Sequence, residues 1–182
     1  IKKLDDFAMN NTPFFLTVGF FRPHTPFVAP KKYFDLYDRG KIEIPKISSD
    51  YLATLPEPAV KSIRAKKNQL NLEKELAQEI KEAYYATISF MDAQIGRVLN
   101  KLKRSGLDKN TIIVFSSDHG YHLGEHGHWQ KQTLFDKSTR VPLIFSGPGI
   151  ESGKRSKSPV YGITIFSFSY KSKYFFGATN GV

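Results

Sequence analysis

The chain of 182 residues has no cysteine, which excludes disulfides and every metal site built on thiolates. It leaves the compartment open, because exported proteins can also do without cysteine. No run of some eighteen apolar residues occurs, so no transmembrane helix is expected. Nor is there a block of like charges, although 27 Lys and Arg against 17 Asp and Glu leave a formal charge of +10. An excess of that size fits an anionic partner, whether nucleic acid, a membrane surface or a substrate carrying sulfate or phosphate. The basic residues are scattered and form no nucleic-acid-binding motif, so nucleic acid is not the expected partner. Ile1 is preceded by no methionine and followed by neither a charged nor an apolar leader segment, and the natural start is not expected here. What is present is a hydrophobic content of 40% with 14% aromatics, enough for a real core and too much for a disordered chain.

Apolar patterning gives the organisation. Phe14 to Phe21 reads as a strand that stops at Arg22-Pro23-His24-Thr25-Pro26, where the prolines hold His24 in an extended turn. Residues 31–39 have short-helix character, and Pro45, Pro56 and Pro58 punctuate a loop with a brief helix after Pro58. From Glu73 to Arg104 the apolar residues Leu76, Ile80, Tyr84, Ile88, Met91, Ile95, Val98, Leu99 and Leu102 recur in steps of three and four. Acids at the start and bases at the end agree with the helix dipole, and Gly106 supplies a stop. The run Thr111-Ile112-Ile113-Val114-Phe115 is short, β-branched and uncharged, as a buried parallel strand would be. Residues 134–139 suggest a helical turn and 141–145 another strand, which Pro142 places at a sheet edge or makes irregular at its start. The α-then-β order indicates an α/β domain of the doubly wound kind. Residues 160–182 change character, with many aromatics and serines, no acid and no clear period.

Chemistry concentrates in Ser117-Asp118-His119-Gly120-Tyr121-His122-Leu123-Gly124-Glu125-His126-Gly127-His128-Trp129-Gln130-Lys131, directly after the strand at 111–115. The crevice beyond the carboxyl ends of strands is where α/β sheets bind ligands. Asp118 and His119 offer an oxygen and a nitrogen to a divalent cation, and Gly120 permits the turn that brings both to one side. Two ligands are too few for calcium or magnesium; the plainer alternative makes Asp118 a helix cap and His119 a polar loop residue. His122, His126 and His128 suggest zinc by their spacing, but the glycines among them argue against the required helix. They read instead as loop histidines, one or two of which touch substrate. Lys131 binds an anion or is one more solvated lysine, and Glu125 orients a neighbour or faces water.

The same residues, followed by Phe135-Asp136 and Arg140-Val141-Pro142-Leu143-Ile144, resemble a conserved block of the sulfatases, nearest to the iduronate-2-sulfatase type. Gly19-Phe20-Phe21-Arg22-Pro23-His24-Thr25-Pro26-Phe27 resembles the segment that family places upstream, and the similarity runs from about Pro13 to Pro159. The resemblance implies a partial alkaline-phosphatase-like α/β sandwich, with a mostly parallel central sheet flanked by helices, and hydrolysis of sulfate esters on sulfated sugars or glycosaminoglycans. It makes Asp118 and His119 ligands of Ca2+. It has Lys131 contact the sulfate oxygens, and His24 contact the sulfate and assist the leaving oxygen.

The family's nucleophile, a formylglycine made in a Cys/Ser-x-Pro-x-Arg motif, has no counterpart here, and the resemblance places both it and the Asp-Asp pair that completes the calcium shell upstream of Ile1. Residues 1–159 are therefore expected to be an interior piece of a sulfatase catalytic domain, unable to turn over sulfate esters alone. Residues 160–182 are expected to be a divergent or frame-shifted tail. Two further readings stand beside it: a phosphoester or phosphonate hydrolase of the same superfamily, and a noncatalytic basic module that binds polyanions.

Overall fold

A computed structural model describes residues 1–157 and the strand 175–178; most of the 160–182 tail lies outside the described residues. The elements in order are α1 (Lys2–Asn10), β1 (Phe15–Thr17), α2 (Lys31–Phe34), α3 (Glu57–Arg64), α4 (Lys74–Arg104), β2 (Ile112–Ser116), α5 (Asp136–Thr139), β3 (Leu143–Ser146) and β4 (Phe175–Ala178), with short 3-10 turns between them. Two compact units are formed, one by residues 1–21, 93–117 and 142–182, the other by 22–92 and 118–141.

The first unit holds the sheet, in the order β1-β4-β2-β3. β4 runs parallel to both β1 and β2, whereas β3 is antiparallel to β2, with Ile113 opposite Ser146 and Ser116 opposite Leu143. The sheet is thus mixed, and β2 is parallel to one neighbour only. β3 lies at the edge, where the lost N–H of Pro142 just before it is harmless. Leu4, Phe14 and Leu102 are buried together, with Phe7, Leu16, Val98, Leu107 and Ile113 packed on them. The rings of Phe7 and Phe14 stack at 4.6 Å. Gly106 at φ 72° starts the 3-10 turn 107–110 just after α4, in the left-handed conformation that glycine adopts without penalty. The Thr111 hydroxyl then donates to the Leu107 carbonyl at 2.7 Å, which fixes the entry into β2.

In the second unit α3 begins behind Pro56 with Pro58 in its first turn, where a missing N–H costs nothing, and it buries Ile63 completely. The first part of α4 carries polar groups on its buried face, each with a partner. Glu82 receives the Arg39 guanidinium at 2.6 and 2.8 Å, the Gln78 amide donates to the Ile42 carbonyl at 2.9 Å, and Ser89 bonds the Tyr37 hydroxyl at 2.6 Å. These contacts strap the irregular 37–43 segment along the helix. Turn residues 22–26 hold His24 between Pro23 and Pro26, as their sequence suggests.

Candidate functional site

Segment 118–131 folds back on itself as a tight hairpin. His122 N–H donates to the Gln130 carbonyl at 3.0 Å and Gly124 N–H to the His128 carbonyl at 3.1 Å. The reversal between them uses positive φ at Gly124, His126 and Gly127. His126 tolerates that conformation because its ring is held on both sides. It stacks on Phe135 at 4.0 Å, and its Nδ1 bonds the Tyr51 hydroxyl. The Glu125 carboxylate faces inward along the loop, accepting the Leu123 N–H at 2.7 Å. Residues 70 and 71 bind the tip, Asn71 N–H donating to the Gly127 carbonyl at 3.1 Å.

The hairpin's closure brings its two ends together. Asp118 accepts the His119 N–H on Oδ1 at 3.0 Å, and its Oδ2 lies 3.5 Å from His119 Nε2. His119 Nδ1 sits 2.7 Å from the Gly120 carbonyl. A carbonyl only accepts, so Nδ1 carries the proton and Nε2 a lone pair. That lone pair meets the Lys131 ammonium at 2.8 Å. Asp118, His119 and Lys131 therefore form one continuous cluster, with the two side chains of the pair only a third or so exposed. His24 lies in the same unit. Its Nδ1 is 2.8 Å from the Thr25 carbonyl, which by the same argument puts the proton on Nδ1 and the lone pair on Nε2. The His24 turn meets the hairpin through Phe27, whose ring packs edge-on against Tyr121 at 6.0 Å and Tyr84 at 5.4 Å. Burial among these rings pushes the Tyr84 phenol up to about 12 and raises that of Tyr121; both stay neutral.

The donor set suits a divalent cation in kind. A deprotonated ring nitrogen and a carboxylate oxygen lie 3.5 Å apart, close enough to share one ion, and the ring nitrogen already faces the Lys131 ammonium. It falls short in number, since among the described residues no group of three or more His, Cys, Asp or Glu side chains gathers around one point, while calcium takes six to eight oxygens.

One reading of the histidines changes. His122 and His128 are completely buried and cannot touch substrate, because the hairpin turns both inward. Their rings meet edge-on at 5.1 Å, and burial holds both, with His126, below the usual imidazole range. Gly120 does more than permit a turn. Its N–H donates to the Ser138 carbonyl at 2.8 Å, and a Cβ there would lie 2.0 Å from the Lys137 carbonyl oxygen. What it provides is close approach of two backbones. The pairing of glycines at 124 and 127 between histidines at 122 and 128 was the available signal for a hairpin.

Residues 1–168 match the family model described as Sulfatase. A sulfatase of Formosa agariphila is 43% identical over 162 residues, covering 85% of this chain and 31% of its own. Iduronate 2-sulfatase of Homo sapiens is 37% identical over 180 residues, covering 92% of this chain and 32% of its own. Among solved structures, the phosphonate monoester hydrolase SpPMH from Silicibacter pomeroyi is similar with a TM-score of 0.63 at 31% identity, over 72% of this chain and 28% of that one. The chain spans about a third of the length of these curated relatives.

Proposed function

Because the chain belongs to the sulfatase family, we propose that it forms part of the active site of a sulfate ester hydrolase acting on sulfated sugars or glycosaminoglycans, of iduronate-2-sulfatase-like type. Its fold is the mixed helix-and-sheet fold of sulfatases and alkaline-phosphatase-like enzymes; in this reading the sheet of the whole catalytic domain is mostly parallel and flanked by helices. The observation that carries the proposal is the Asp118, His119 and Lys131 cluster. Lys131 supplies positive charge to the sulfate oxygens, where fixed donors stabilise the charge of the transferring group. His24, with Nδ1 committed to a carbonyl, delivers a proton from Nε2 to the leaving oxygen. Asp118 and His119 hold a calcium ion, which when bound neutralises charge on the sulfate group. The nucleophile and the remaining calcium donors are further requirements, for which residues 1–182 contain no Cys/Ser-x-Pro-x-Arg motif.

Calorimetric titration of the chain with inorganic sulfate, with and without calcium, tests this. Sulfate should bind more tightly with calcium present, Lys131→Ala should abolish binding, and Asp118→Asn should abolish the calcium effect. Equal sulfate binding by the Lys131→Ala variant would refute the assignment. The phosphonate hydrolase likeness favours one second reading, since lysine and a divalent ion serve phosphoryl oxygens as well. A preference for methylphosphonate over sulfate in the same titration would select it. Binding of heparin with no detectable binding of inorganic sulfate or methylphosphonate would instead indicate a polyanion-binding module.

A further inference from the structure

Three consecutive carbonyls ending at Lys131 are held by side chains from the opposite arm of the hairpin or from its tip. The Tyr121 hydroxyl donates to the Trp129 carbonyl at 3.2 Å. The Gln130 carbonyl receives both the His122 N–H at 3.0 Å and His122 Nδ1 at 2.9 Å, while the Ser138 hydroxyl, paired with that of Thr133, lies farther from the same nitrogen at 3.2 Å. His128 Nε2 approaches the Lys131 carbonyl at 3.5 Å. Since carbonyls only accept, the two rings donate from Nδ1 in His122 and from Nε2 in His128. Their other nitrogens, His122 Nε2 and His128 Nδ1, are buried and have no hydrogen-bond partner among the described residues.

A leucine would fill either space without burying a bare nitrogen, which carries a desolvation cost. What the imidazole adds is one N–H, and in both rings that N–H is aimed at a peptide group adjoining the Lys131 Cα. We propose that His122 and His128 are positioning residues for Lys131: each neutral ring, in a fixed tautomer, anchors one of the two peptide carbonyls flanking Lys131, so that its ammonium reaches His119 Nε2. A lysine on a loose backbone keeps much of its side-chain freedom and makes a poor fixed charge. Anchoring both adjoining peptides leaves only the side chain to be ordered, and its stem starts from a fixed point. This proposal rests on the reading of Lys131 as the residue that contacts the anion.

Nitrogen-15 NMR of the 182-residue chain at pH 7.5 should show His122 as the Nδ1–H tautomer and His128 as the Nε2–H tautomer. The Lys131 side-chain resonance, assigned by its loss in Lys131→Ala, should stand apart from those of the surface lysines. His122→Leu and His128→Leu should move it to the surface-lysine position and weaken inorganic sulfate binding tenfold or more. His122→Asn and His128→Gln, whose amides present an N–H at similar reach, should recover most of both. Opposite tautomers in the parent overturn the proposal, as do folded leucine variants with an unmoved Lys131 resonance. If the leucine variants do not fold, failure of the Asn and Gln variants to keep that resonance overturns it equally. Should Lys131→Ala bind sulfate like the parent, the anion-contact reading fails, while the tautomers and the lysine resonance still judge the positioning.

Discussion

Replacing Gly120 with alanine would set a methyl carbon 2.0 Å from the Lys137 carbonyl oxygen and 3.0 Å from its carbonyl carbon. Both are backbone atoms, so no side-chain rotation can relieve the contact, and the variant should lose about 1–3 kcal/mol or more in a denaturant titration. Gly96, within α4 and with nothing within 4 Å of an added Cβ, is the control. There alanine should stabilise by about 0.5–1 kcal/mol. Equal stability of the two variants would refute the close-approach role of Gly120. The histidines make a separate prediction. Burial lowers the folded-state pKa of His122, His126 and His128 below the unfolded value, so the unfolded chain binds more protons in acid. Glu125 opposes that shift at His122 and His126 and the Lys131 carbonyl opposes it at His128, while Lys137 faces His122 and Lys66 faces His128 with the same sign as burial. Stability from this cluster is complete above about pH 6.5 and declines as pH falls toward the depressed folded values. Melting temperatures from pH 7.5 to 5 should fall more steeply in the parent than in the His122→Asn variant, and parallel curves would count against it.

At the level of elements, what could be read from the sequence was whatever depended on local periodicity. The helix expected over 73–104 is found as Lys74–Arg104, because its apolar steps of three and four match a helical stripe whatever it packs against. The strand expected at 111–115 appears one residue later, and Asp118-His119 follows it as expected. α1 was not anticipated: Lys2–Asn10 starts from Ile1 with no side-chain cap, and it is the burial of Leu4 against Phe14 and Leu102 that gives it a place. The hairpin was legible only in its glycines at 124 and 127. Its turn also needs a positive φ at His126, whose ring is held by Phe135 and by Tyr51, and Tyr51 is distant in sequence. The orientation of His122 and His128 follows from that turn. Leu102, 2% exposed in the first unit's core, should cost about 2–5 kcal/mol as alanine. Loss of less than 1 kcal/mol in urea unfolding would mean that the cluster with Leu4 and Phe14 contributes little to stability.

Across the whole molecule the +10 charge acts separately from the site. It should give the chain an affinity for heparin that falls steeply between about 50 and 200 mM salt, through release of counterions. That affinity should change little in Lys131→Ala, because one lysine among 27 basic residues carries a small share of a diffuse field. A salt-insensitive interaction, or one lost with Lys131 alone, would place polymer recognition in the site itself. One feature of the hairpin also bears on how the chain can be observed. Trp129 is the sole tryptophan, 4% exposed, with its ring against Gly124 and two residues from Lys131. The tryptophan fluorescence of all 182 residues therefore originates two residues from Lys131, and a red shift in that emission would report the opening of this one loop before the rest of the protein had changed.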